Sequence, residues 1–202
     1  KILKKTKIHK SDIKKYNDKY LEMHYNIITL NGISGRIIIK EGKKMPNIIL
    51  TRIDNRLVHG QVATQWCGSI GANLILVAND EVSTNTLRQG LMDMAAPSYA
   101  AMRYWSIEKT CSTIHKASDK QLIFIVCETP QDVLRLVEGG VPIKKVNIGN
   151  MHMAEGKRQV SKAVCVDDKD VAAFKRLQDL GVELEIRRVP SESSESLDEL
   201  FK

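Results

Sequence analysis

The chain has 202 residues, 43% hydrophobic and 27% charged, with a formal net charge of +7. That is apolar material for one sizeable core. The longest apolar runs, such as Leu122 to Cys127, fall far short of the roughly 20 residues of a membrane-spanning helix, and the four cysteines, Cys67, Cys111, Cys127 and Cys165, lack the close pairs of zinc or redox motifs. A soluble, cytoplasmic protein with reduced thiols is the expectation.

Charge and pattern both change at Met45. Lys1 to Lys44 holds 12 Lys/Arg and 4 Asp/Glu, a net of +8 that leaves the remainder at −1. This stretch is lysine-rich with little amphipathic order beyond an apolar patch at Ile37 to Ile39. It is read as an extension ahead of a natural start at Met45, the alternative being a basic arm or a small strand pair. Residues 45–202 form the expected domain.

From Met45, short β-branched runs alternate with helical stretches, the pattern of helices packed on a mostly parallel sheet. Asn47 to Ile53 reads as the first strand, ended by Asp54-Asn55-Arg56, and Gly60 to Ser69 as a helix. A strand at Asn73 to Ala78 precedes a helix from Glu81 to Ala95, broken at Pro97. Then come a strand at Ala101 to Trp105, a helix through Ile107 to Ala117 and a strand at Gln121 to Cys127. Thr129-Pro130 supplies a capping residue and a first-turn proline for the next helix, which Gly139-Gly140 ends. Lys145 to Ile148 reads as a strand leading into a polar turn, Gly149-Asn-Met-His152. A short extended piece at Ala163 to Val166 is followed by a helix capped by Asp167 or Asp168 and reaching Leu180, then by the last strand, Val182 to Val189. The Ser/Glu-rich tail has room for a short final helix. The expected fold is therefore α/β: an open, mostly parallel sheet with helices on both faces and an active-site loop after the first strand.

In such sheets ligands bind beyond the carboxyl ends of the strands. The turn leaving the first strand reads Thr51-Arg-Ile-Asp-Asn-Arg-Leu-Val-His-Gly-Gln-Val62, with two arginines, an aspartate and a histidine inside eight positions. That is an anion site containing a nucleophile. Backbone N–H groups at Gly60 and Gln61 can hold phosphate oxygens at a helix start, and Arg56 can add a charge-assisted fork. His59 can attack phosphorus through a neutral ring nitrogen. Asp54 either steers Arg56 or the imidazole, or simply ends the strand. Arg52 is a weaker phosphate-binding candidate, because strand alternation can point it to an exposed face. Asp80 and His152 are candidates for the rim of the site, with ordinary turn chemistry as the equal alternative. Trp66, Met92, Met94, Tyr104 and Trp105 read as packing residues, and Lys144-Lys145 and Arg187-Arg188 as solvated faces.

The stretch Thr51 to Val62 closely resembles the active-site signature of the mannose/fructose/sorbose-type IIB components of bacterial phosphotransferase systems. The resemblance continues through Val77-Ala-Asn-Asp80, Gly139-Gly-Val141, Val146-Asn-Ile-Gly-Asn-Met-His152, Gly156-Lys157 and Val166-Asp-Asp168, and so covers Met45 to about Val189. It implies a phosphorelay. A IIA domain, charged by the carrier HPr, donates to His59, and membrane IIC/IID components present the sugar that receives the phosphate. It implies no metal and no cofactor, and a cytoplasmic protein that associates peripherally with the transporter. Thr51 to His59 together with Val146 to His152 is most similar to the N-acetylgalactosamine/galactosamine branch, while Gly181 to Val189 is closer to the mannose branch. Mannose-, fructose- or sorbose-specific transfer and a histidine-dependent phosphohydrolase are the alternatives. Nucleic acid is not an expected partner, since a binder driven by the basic arm finds no recognition motif in the rest of the chain. A homodimer stays open.

Overall fold

The structure, a computed structural model, describes residues 25–28, 38–41 and 45–202. The chain divides into two units, Lys1–Lys44 and Met45–Lys202. In the first, β1 (Tyr25–Ile28) and β2 (Ile38–Glu41) pair antiparallel, with Tyr25 opposite Glu41 and Ile28 opposite Ile38. The rest of the basic stretch lies outside the described residues.

In the second unit the β-branched runs form β3 (Ile48–Asp54), β4 (Leu74–Ala78), β5 (Ala101–Trp105), β6 (Ile123–Cys127), β7 (Lys145–Asn150) and β10 (Glu183–Ile186). Among the described residues they make one six-stranded parallel sheet in the order β10-β7-β3-β6-β4-β5. The first strand thus sits in the middle, flanked by β6 and β7. Parallel strands need crossovers, and the crossover helices cover both faces, which explains strands that are apolar on both sides.

Helix α1 occupies residues 60–70, its π-helical turn Val62–Trp66 running into the α-helical Cys67–Ile70. Together with α2 (Thr86–Ala95) it covers one face, packing Val62, Trp66 and Met92 against Ile75, Val77, Phe124 and Val126. Helices α3 (Ile107–Thr113), α4 (Pro130–Glu138) and α5 (Asp168–Asp179) cover the other, packing Ile107, Val133, Leu136, Phe174 and Leu177 against Ile53, Leu76, Ile125 and Ile148. Among the described residues no helix is long and apolar enough to cross a membrane.

Helix starts follow cap chemistry. Thr129 Oγ1 accepts from Asp132 N–H, and Asp167 closes a reciprocal capping box with Asp170. The helix expected from Glu81 instead begins at Thr86, because Asn85 is the cap whose side chain accepts from Arg88 N–H, and the preceding residues form turns. A small antiparallel pair, β8 (Arg158–Ser161) and β9 (Val164–Val166), includes a strand with no periodic signal in the sequence. The expected final helix is one turn of 3₁₀, Asp198–Leu200.

Two corrections concern β7 and α2. The segment Gly149-Asn150 is strand rather than turn. Pairing of β3 with β7 jumps from Ile53/Ile148 to Asp54/Asn150, so Gly149 is the extra residue of a bulge, a device that re-aims backbone beside a site. Met94, expected to pack, is 85% exposed on α2 along with Leu87 and Leu91.

Candidate functional site

Asp54 ends β3 and is fully buried. Its Oδ2 accepts from Arg52 Nη2 at 2.9 Å and lies 3.3 Å from His59 Nε2, while Oδ1 accepts the backbone N–H of Arg56 at 3.1 Å and sits 3.5 Å from Arg56 Nε. Burial pushes the Asp54 carboxyl up. The His59 hydrogen bond, the Arg52 charge and the Arg56 N–H together outweigh that and hold it below the ordinary carboxylate range. One carboxylate therefore fixes the loop backbone, an arginine and the imidazole at once.

The loop itself is tightly built. Leu57 N–H bonds Asp54 O at 2.8 Å, and Leu57 adopts φ +55°, a left-handed conformation rare for a branched side chain. The side chain is fully buried against Val62, Trp66 and their neighbours. Burying a leucine contributes about 1.5–3 kcal/mol, enough to offset about 1–2 kcal/mol of backbone strain. Asn55 sets the loop against both neighbouring strands. Its N–H bonds Asn150 O at 3.0 Å, its Nδ2 donates to Glu128 O at 2.8 Å just beyond β6, and its Oδ1 accepts from His152 N–H at 2.6 Å just beyond β7.

His59 O accepts from Ala63 N–H at 2.9 Å, so the helix begins directly after the imidazole, and the N–H groups of the first turn have no acceptor within the helix. The His59 side chain is 21% exposed. With its Nε2 on Asp54, its Nδ1 is the ring nitrogen left available. Gly60 has open space where a Cβ would stand, and Arg56, 45% exposed, reaches Gln61 Oε1 at 3.5 Å. A depression of ≈ 340 Å³ lies in front, lined by Arg56, Val58, His59 and Gly60 from the loop and by Arg88, Leu91, Met92 and Ala95 from α2.

Three expected site residues, Arg52, Asp80 and His152, stand elsewhere. Arg52 was read toward an exposed face as a phosphate-binding candidate, but it is fully buried. A sheet covered on both sides has no exposed face for it. Its guanidinium donates to Asp54, to Asn147 Oδ1 and to Arg187 O, and lies 5.1 Å from the Trp66 ring centroid. It is a buried counter-ion, not a phosphate contact. Gly149 makes room for it: a Cβ there would fall 1.9 Å from the guanidinium carbon. Arg187, expected on a solvated face, also stacks on Trp66 at 5.4 Å and pairs with Glu185. Asp80 accepts Ile107 N–H at 2.9 Å and pairs with Arg135 at 2.7 Å; these two bonds hold its carboxyl below the usual range and anchor α3. His152 is exposed, and it is its backbone that meets Asn55. Neither Asp80 nor His152 lines the depression.

Asn55, Asn147 and Arg88 were not singled out in the sequence. An Asx residue directly after a strand is a weak signal for Asn55. Arg88 lies 29 positions beyond His59 on another helix, which no local spacing reveals.

An open parallel sheet with a histidine and an arginine on the loop leaving an inner strand defines an α/β domain whose candidate site lies beyond the carboxyl ends of its strands. Residues 48–202 match the family described as the PTS system sorbose subfamily IIB component, and the chain belongs to that family. It is 51% identical over 157 residues to the N-acetylgalactosamine-specific phosphotransferase enzyme IIB component 2 of Escherichia coli (strain K12), covering 78% of this chain and 100% of that one. Its structure is similar to the crystal structure of the N-acetylgalactosamine-specific IIB component 1 from Escherichia coli, with TM-score 0.72, 48% identity and coverage of 74% of this chain and 99% of that one. The IIBSor domain of the sorbose permease from Klebsiella pneumoniae gives TM-score 0.72 at 39% identity, covering 76% and 96%.

Proposed function

We propose that His59 takes a phosphoryl group from a IIA domain on Nδ1 and passes it to a sugar held by IIC/IID membrane components. The observation that carries this is the contact between His59 Nε2 and the buried Asp54 carboxylate at 3.3 Å. A carboxylate there favours the tautomer with hydrogen on Nε2 and the lone pair on Nδ1. The Nδ1 pair attacks phosphorus, the bond from phosphorus to the donor nitrogen breaks, and its electrons stay on the donor ring. His59 keeps its Nε2–H and becomes a phosphorylated imidazolium, whose positive charge faces Asp54. The sugar hydroxyl then attacks phosphorus, the Nδ1–P bond breaks with its electrons returning to Nδ1, and the hydroxyl proton is released. In this reading Arg56 and the first-turn N–H groups of α1 meet the charge on the transferring oxygens.

The two N-acetylgalactosamine-specific relatives, at 51% and 48% identity, support N-acetylgalactosamine as the sugar, with galactosamine the related alternative. The test has two parts. Phosphorylated IIA domain should label the protein in acid-labile form, and His59→Ala should remove the label while retaining the fold. With membranes carrying the cognate IIC/IID components, phosphate should pass to N-acetylgalactosamine in preference to mannose, fructose or sorbose. Full labelling of His59→Ala would place the nucleophile elsewhere.

A further inference from the structure

Phosphate on a histidine brings close to two negative charges, and the loop offers one exposed cation, Arg56, to meet them. A second stands across the depression. Arg88 rises from the first turn of α2, its position set by the Asn85 cap, and lines the same ≈ 340 Å³ space as His59, Arg56 and Gly60. We infer that Arg88 is a second phosphoryl-binding residue, which closes on the phosphorylated His59 from the α2 side. This rests on the reading of His59 as the phosphorylated residue.

The present partners of Arg88 suit an exchange. Its Nη1 meets Glu81 at 3.0 Å, but the Glu81 side chain is 67% exposed, and a pair that wet contributes little. Its Nη2 approaches Glu128 only at 3.6 Å, and the other Glu128 oxygen is already taken by Asn79 Nδ2 at 2.8 Å. Arg88 itself is 30% exposed, so its charge is neither locked in the core nor lost to bulk water. A phosphoryl group offers three strong acceptor oxygens to a planar guanidinium, a better partner than two loosely engaged carboxylates. The wall beside it is apolar, with Leu91 and Met92, which strengthens a charge pair formed there.

The experiment uses the full chain charged with phosphoramidate, so that no partner protein contributes, and follows the phosphohistidine by ³¹P NMR across pH. A neighbouring cation lowers the second ionisation of the phosphoryl group. Arg88→Gln should therefore raise that midpoint by about half a pH unit, and Arg88→Lys by less. Releasing Arg88 by the paired change Glu81→Gln and Glu128→Gln should move it down. A structural role would lower the melting temperature of Arg88→Gln and leave the ionisation where it was, and that result overturns the inference. Should Arg88→Gln fail to fold, an unmoved midpoint in the paired glutamine variant overturns it equally. Absence of label on wild-type His59 would instead overturn the proposed function itself.

Discussion

Asp54 separates two arginines that lie four residues apart and do opposite work. Behind it, Arg52 is sealed between Asn147, Arg187 O and the Trp66 ring. In front, the Arg56 side chain is 45% exposed and approaches Asp54 only at 3.5 Å, while its backbone N–H bonds the same carboxylate at 3.1 Å. The rear charge is sealed from solvent and cannot reach a ligand; the front charge faces solvent, where a ligand can meet it. Burial lowers the Arg52 pKa from its ordinary value against the opposing pull of Asp54, and an arginine so placed remains a cation that steadies the carboxylate. The lesson is that charge type alone does not make a phosphate-contact candidate; the arginine must also stand on the solvent side of the carboxylate.

The comparison breaks hardest at the carboxylate. Asp54→Asn leaves Arg52 buried without its counter-ion, and removing one member of a buried pair costs about 3–5 kcal/mol. Urea titration should show that loss. The sign with pH follows from the depressed Asp54 value: its stabilisation is complete above the unfolded carboxyl value, about pH 4, and is lost as pH falls through the lower folded value. Wild type should weaken below about pH 4, and Asp54→Asn should show a shallower acid limb. An identical acid limb in both would remove Asp54 from the centre of the network.

On the solvent side the effect should appear in rate instead. Arg56→Ala is expected to slow phosphoryl transfer from the IIA domain about a hundredfold, close to 3 kcal/mol in the barrier, while the melting temperature stays within a few degrees. Arg56→Lys should recover part of the rate, since an ammonium lacks the planar fork. A near-normal rate with a lowered melting temperature would make Arg56 a brace for Asp54, like Arg52.

The alternation of strands and helices was legible because β-branched runs, Thr129-Pro130 and Gly139-Gly140 act locally. So was the loop from Asp54 to Gln61, where the chemistry is contiguous in the chain. What escaped was non-local. Arg52 reads as exposed under period-two alternation, and only the crossover helices that cover both faces bury it. Gly149 reads as a turn glycine, although its reason is the guanidinium of Arg52, 97 positions earlier. Gly149→Ala tests that reading: a Cβ 1.9 Å from the guanidinium carbon forces one of them to move. Overpacking of this kind costs about 1–3 kcal/mol. The loss should shrink when Arg52 is also replaced by a shorter side chain, and a fully additive double variant would detach the glycine from Arg52.

The smallest effect belongs to Asp80, which shares its residue type with Asp54 and also lies at the carboxyl end of a sheet strand. Its side chain is 50% exposed, and its partner Arg135 is 52% exposed, so the 2.7 Å contact is screened by water on both sides. Its second bond, from Ile107 N–H, can be kept by the Oδ1 of an asparagine. Asp80→Asn should therefore cost less than about 1 kcal/mol, the range of exposed ion pairs. Because Asp80 does not line the depression, transfer to and from His59 should be unchanged. The rate decides the matter more sharply than stability does. A tenfold slower transfer in a fully folded Asp80→Asn protein would put this carboxylate at the rim of the site and extend the working surface to the start of α3.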